Sequence, residues 1–154
     1  MHNEPPAAIA NSAHRLTQKS ALWLGGLGLV PFLSLATLAH LNEPVMAHLA
    51  TRALLAYGAV IVSFLGGIRW GLAITNPNSR VLWRLIQSVV PSLTGFGALL
   101  LTASLSAALL VVTLLLMLWW DWRLQSSGEA PDWYVRLRLP LSLGASIAIA
   151  SIWF

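Results

Sequence analysis

Ser63-Phe64-Leu65-Gly66-Gly67-Ile68-Arg69-Trp70-Gly71 sets an arginine and a cluster of glycines inside an apolar run from about Ala53 to Ile74. A run of about 20 mostly apolar residues is long enough to cross a bilayer as a helix. An arginine in mid-bilayer costs roughly 2.5–3.5 kcal/mol on insertion scales, so Arg69 must be paired, hydrated or able to reach the surface.

The rest of the chain has the same character. Of its 154 residues, 57% are hydrophobic and only 9% are charged, and the mean hydropathy is +0.73. A soluble domain carries about 25% charged residues. Here the apolar residues come in long blocks, the pattern of segments that face lipid. The isoelectric point of about 10.8 does not indicate a nucleic-acid binder. The nine lysines and arginines are scattered with no basic run, as charges that set membrane orientation are. There is no cysteine, which excludes disulfides, thiolate metal sites, iron–sulfur clusters and cysteine nucleophiles.

Residues 1–19 are polar and read as a disordered or interfacial cytoplasmic tail. The run from about Ala21 to Leu41 follows Arg15 and Lys19 as a signal-peptide core would, and Ser34-Leu35-Ala36 loosely resembles a cleavage site. It is too long for that role and reads as a retained anchor. Asn76-Pro77-Asn78-Ser79 closes the second run with turn residues. A single helix over Val81–Trp120 would measure about 60 Å, twice a hydrocarbon core of about 30 Å. The chain should therefore fold back near Thr102–Ser106. A polar loop, Asp121–Arg136, precedes the last run.

These blocks predict an all-α integral membrane protein, a compact bundle of five transmembrane helices over residues 20–154. The spans fall at about 21–41, 53–74, 82–102, 105–120 and 137–154. With five spans, Arg15, Lys19, Arg80, Arg84, Arg123, Arg136 and Arg138 share one side, and Arg52 alone lies on the other. Were 81–120 one span, the bias would fall to four against four. Positive charge collects inside, so the amino terminus is expected inside and the carboxyl terminus outside. Trp119, Trp120, Trp122 and Trp133 would then mark the inner interface and Trp153 the outer one. No internal repeat is visible, and an odd number of spans argues against inverted duplication within the chain.

In the second span, Ala59, Ser63, Gly67 and Gly71 recur every fourth residue and suggest a helix-packing stripe. Arg69 points away from that stripe, toward the side of Gly58 and Val62. It lies about 7–8 Å inside the inner end of the span, near enough for its side chain to snorkel to the headgroups. Snorkelling or a structural ion pair is the first reading, and a ligand-facing role the second. The expected partner is Asp121, at similar depth in Trp119-Trp120-Asp121-Trp122-Arg123. Arg84, Gln87 and Arg138, with Arg136 beside it, complete a polar cluster of net positive charge. It suits an anionic lipid headgroup, phosphate or carboxylate, or serves as a polar knot joining helices.

Pro31, Pro91 and Pro140 read as tolerated kinks, with Ser88, Ser92 and Thr94 placed to satisfy the carbonyl that Pro91 frees. His40 and His48, near the end of the first span and in the loop after it, lack carboxylate partners and make a poor metal or haem site. No Gly-x-Ser-x-Gly, His-Glu-x-x-His or phosphate-loop motif occurs. No acidic residue lies within the middle of a span, which argues against a proton relay or cation-coupled pump. No cofactor or metal is expected.

The stretch Tyr57-Gly58-Ala59-Val60-Ile61-Val62-Ser63-Phe64-Leu65-Gly66-Gly67-Ile68-Arg69-Trp70-Gly71 resembles a family of small bacterial inner-membrane proteins of unknown function, related to mitochondrial transmembrane protein 69. Members carry a similar Ser-Phe-Leu-Gly-x-x-x-Trp-Gly element in the second span. The resemblance extends to Val90-Pro91-Ser92-Leu93, Asp121, Trp133-Tyr134 and Leu137-Arg138-Leu139, covering the chain from about residue 20 onward. It implies the membrane fold, a bacterial inner-membrane location and a cationic or polar hydrogen-bond donor at Arg69. It brings no substrate or reaction.

The leading expectation is a non-enzymatic structural or accessory protein whose partners are the bilayer, an anionic lipid or another membrane protein, and which could form oligomers. A small transporter for an anionic or amphipathic solute is the alternative. A membrane enzyme acting on lipid comes third.

Overall fold

In lipid, every backbone N–H and C=O must find its partner within the structure, so long apolar runs become helices. A computed structural model describes residues 7–41, 43–75, 81–126 and 132–154. It contains α1 (Ala7–Ala39), α2 (Pro44–Thr75), α3 (Val81–Ala98), α4 (Ala103–Ser126) and α5 (Asp132–Ala150), then a 3₁₀ turn, Ser151–Trp153. There is no strand among the described residues. Among the described residues four segments are long and apolar enough to cross a membrane: Gln18–Ala39, Pro44–Thr75, Ala103–Arg123 and Trp133–Trp153. The shorter α3, of 18 residues, carries Arg84 and Gln87 in its first two turns.

The helices outrun the apolar blocks that predict them. From Ala7 onward, residues expected in the amino-terminal tail continue α1. Pro44 opens α2 well before Ala53, and the Glu43 carbonyl accepts from the Ala47 N–H at 2.9 Å. Proline suits the first helical position because its missing N–H would have had no partner there. His48 therefore lies on α2 and not in a loop. Asp121 and Arg123 belong to α4, and Arg136 and Arg138 to α5. Hydropathy marks the part of a helix in contact with hydrocarbon, whereas the backbone bonds continue through polar residues. The Asn76–Ser79 turn and Arg80 lie outside the described residues.

The chain folds back at Leu99–Thr102, slightly before the expected place. Leu99, Leu100 and Leu101 each donate to the carbonyl three residues earlier, at 3.1 Å. Ser106 N–H then bonds the Thr102 carbonyl at 2.8 Å, and Ser106 sits inside α4. Near Pro91, Ser88 donates to Leu85 O and Thr94 to Pro91 O. Neither therefore takes the carbonyl of Gln87, the one that proline leaves free.

Helix α2 lies at the centre of the bundle. Its Leu54, Val62 and Leu65 are buried with Phe32 of α1, Leu110 and Leu114 of α4, and Ile149 of α5. Against α3 the approach is backbone to backbone. A Cβ on Gly66 would stand 2.5 Å from the Ser88 carbonyl oxygen, and one on Gly95 would stand 2.9 Å from that of Ala59. These pairs run α3 antiparallel along α2. Helix α1 is mostly exposed on one side, with Trp23, Leu24 and Leu33 outward. Its hold on α2 includes Tyr57, which donates to the Gly28 carbonyl at 3.0 Å and meets Phe32 edge-on with ring centroids 4.8 Å apart.

The observed packing corrects the stripe read from sequence. Ala59 and Ser63 face Gly95, but no neighbouring atom lies within 4 Å of where a Cβ would stand on Gly67 or Gly71. Helical geometry explains the shift. At about 100° per residue, each four-residue step advances about 40°, which carries Gly67 and Gly71 about 80° and 120° away from Ala59. Gly66, seven residues on, returns to within about 20° of Ala59.

Candidate functional site

The end of α2, the end of α4 and the start of α5 meet at one end of the bundle. Asp121 of α4 lies between two arginines there. Its Oδ1 is 3.3 Å from Arg69 Nε of α2, and its Oδ2 accepts from Arg138 Nε of α5 at 3.0 Å. Side-chain exposure is 3% for Asp121, 10% for Arg69 and 7% for Arg138, so all three charges are withdrawn from solvent.

The charges do not balance. Among the described residues one carboxylate faces two guanidinium groups, leaving one net positive charge in a region where an unpaired ion is costly. Both guanidiniums also carry a buried Nη2 with no hydrogen-bond partner among the described residues, as does the indole Nε1 of Trp133. Part of the cation is stabilised by an aromatic face, since Arg69 Cζ sits 5.3 Å from the Trp120 ring centroid. Tyr134 of α5 and Arg84 of α3 stand close enough to interact electrostatically with Arg69.

Of the residues expected in the cluster, the structure brings Arg69, Asp121 and Arg138 into contact, with Arg84 adding its charge nearby. Gln87 is half-buried on α3 and bonds to none of the three among the described residues. Arg136 is exposed and stands apart. The sequence does not mark Trp120, Trp133 and Tyr134 as site residues, because aromatic residues near span ends look like an interfacial belt. For Tyr134 the available signal was its spacing, one helical turn before Arg138 on the same face of α5.

Six of the eight tryptophans, Trp70, Trp83, Trp119, Trp120, Trp122 and Trp133, lie toward this same end of their helices, Trp23 is at the middle of α1, and Trp153 lies at the other end. Arg123 stacks on Trp119, with Cζ 4.6 Å from the ring centroid. Among the described residues no group of three or more histidine, aspartate or glutamate side chains could hold a metal ion. Chemically, the triad offers guanidinium donors to an acceptor.

Residues 17–154 match the family described as "Protein of unknown function (DUF3429)". The chain belongs to this family. The DUF3429 chain is similar to curated vertebrate proteins called transmembrane protein 69. It is 36% identical to that of Xenopus tropicalis over 133 residues, which cover 85% of this chain and 52% of the relative. With that of Mus musculus it shares 30% identity over 147 residues, or 94% and 60%. It thus spans about half to three-fifths of the length of these relatives. No solved structure matches significantly. The family and the apolar helices together make this a membrane protein.

Proposed function

We propose that this DUF3429 protein is a non-enzymatic accessory protein of the bacterial inner membrane, crossing it five times with the amino terminus inside. Its Arg69–Asp121–Arg138 triad joins three helices and receives the anionic group of a lipid or of a partner membrane protein. The observation that carries this reading is the one-to-two ratio of carboxylate to guanidinium among the described residues of a buried place. A triad serving only as a lock would be neutralised more cheaply by one arginine and one aspartate. Two guanidinium groups with donors to spare suit a phosphate or carboxylate that completes the pairing.

The course of α3 supports five crossings, because it runs beside α2 from the level of Gly66 to that of Ala59. The concentration of tryptophan and arginine at the triad end supports placing that end at the cytoplasmic interface.

A small-solute transporter is the second reading. Buried Ser142 and Ser146 continue the line of Arg138 down α5, and Ser106 of α4 is buried as well. None of the three hydroxyls has a hydrogen-bond partner among the described residues. They could form a polar thread from the triad toward the far face.

Native mass spectrometry of the wild type and Arg69→Ala in mild detergent tests the leading reading. The wild type is expected to retain an anionic lipid that the variant loses while staying folded. A wild type free of bound lipid, with a variant that only loses stability, would make the triad purely structural.

A further inference from the structure

We infer that the cleft between α1, α2 and α5 binds one long acyl chain with an anionic head, carboxylate or phosphate, placed at Arg138. The inference rests on the preceding proposal for the head and adds the tail. The cleft holds about 380 Å³, within the roughly 300–1,000 Å³ of small-ligand sites. Its walls are apolar, with Phe32 of α1, Phe64 of α2 and Leu141 of α5 among them. Arg138 and Ser142 also line it, and each carries a buried polar atom without a partner among the described residues. The Arg138 side chain is only 7% exposed and bears charge that Asp121, shared with Arg69, does not fully compensate.

The dimensions suit a lipid tail. The lining runs along α5 from Trp133 to Ala145, about 18 Å at 1.5 Å per residue, of which about 10 Å lies beyond Arg138 for the first part of the tail. One leaflet occupies about half of a 30 Å hydrocarbon core, or about 15 Å, so the end of a long tail would leave the cleft sideways into the bilayer. The charged end lies near the tryptophan-rich interface and the apolar end reaches mid-bundle, as a lipid in that leaflet would. Leu24 and Phe64, both lining residues, are more than half exposed on the outside of the bundle. They mark a lateral opening between α1 and α2 through which a chain can enter from the bilayer. Gly28 keeps the cleft wide, since a Cβ there would meet nothing closer than Tyr57 Oη at 3.9 Å.

The test is photolabelling of the full chain in detergent by a long-chain fatty acid carrying a mid-chain diazirine, followed by peptide mapping. Label is expected on α1 near Gly28 and on α5 near Leu141, and Gly28→Phe should weaken it about tenfold. The mass of any adduct retained from the membrane separates a free fatty acid from an anionic phospholipid, and either fits the site. Label spread over the exposed face of α3, at Leu93 and Phe96, with no enrichment in the cleft would overturn the acyl site. Should Gly28→Phe fail to fold, the wild-type map decides alone. Equal labelling by a neutral long-chain alcohol would overturn the anionic head. Loss of a native anionic lipid in Arg69→Ala without cleft labelling would overturn this inference and leave the triad reading standing.

Discussion

Asp121→Ala is expected to destabilise the bundle by about 3–5 kcal/mol, the range for removing one partner of a buried ion pair. The size of the effect comes from what remains. Two buried guanidinium groups, Arg69 and Arg138, would face each other with no carboxylate between them. Arg69→Met or Arg138→Met should cost less, because either leaves a one-to-one pair with Asp121. Reversible unfolding in mixed micelles ranks the three variants directly. A loss of under about 1 kcal/mol for Asp121→Ala, the scale of an exposed pair, would mean that the carboxylate does not hold the two charges.

Gly66→Ala is expected to be the second costly substitution, at about 1–3 kcal/mol, the usual range for overpacking. The methyl group would stand 2.5 Å from the Ser88 carbonyl oxygen and 3.5 Å from Pro91 Cβ. Backbone cannot swing aside as a side-chain tip can, so α3 would have to move off α2. Gly67→Ala, one residue away, adds a methyl group with no neighbour within 4 Å. It should be neutral, or stabilising by about 0.5–1 kcal/mol through the higher helix preference of alanine. Equal costs for the two variants in the same unfolding assay would contradict the α2–α3 interface described above.

That contrast also shows where sequence reading stopped. The membrane class and helical fold were legible because hydrocarbon tolerates few alternatives for such apolar runs. Asp121 could be named as the partner of Arg69 because counting residues along successive spans puts both at one depth. Depth does not give azimuth, however. A four-residue spacing drew attention to Gly67 and Gly71, while the close contact fell on Gly66 and Gly95. The second arginine of the triad, Arg138, was grouped with the cluster on depth and charge, but its sharing of one carboxylate with Arg69 depends on how α4 and α5 are rotated. The cleft was not legible at all. It is made by α1, α2 and α5 together, with α1 far in sequence from Arg138.

A bundle that crosses the membrane five times with the triad at its cytoplasmic end puts its two termini on opposite sides. Because the chain contains no cysteine, single cysteines placed at Lys19 and at Phe154 can be probed in intact cells with a membrane-impermeant maleimide. Both positions are exposed. Labelling is expected at position 154, with protection at position 19 until the membrane is opened. Labelling of both positions, or of neither, in intact cells would put the termini on the same side and contradict the five crossings.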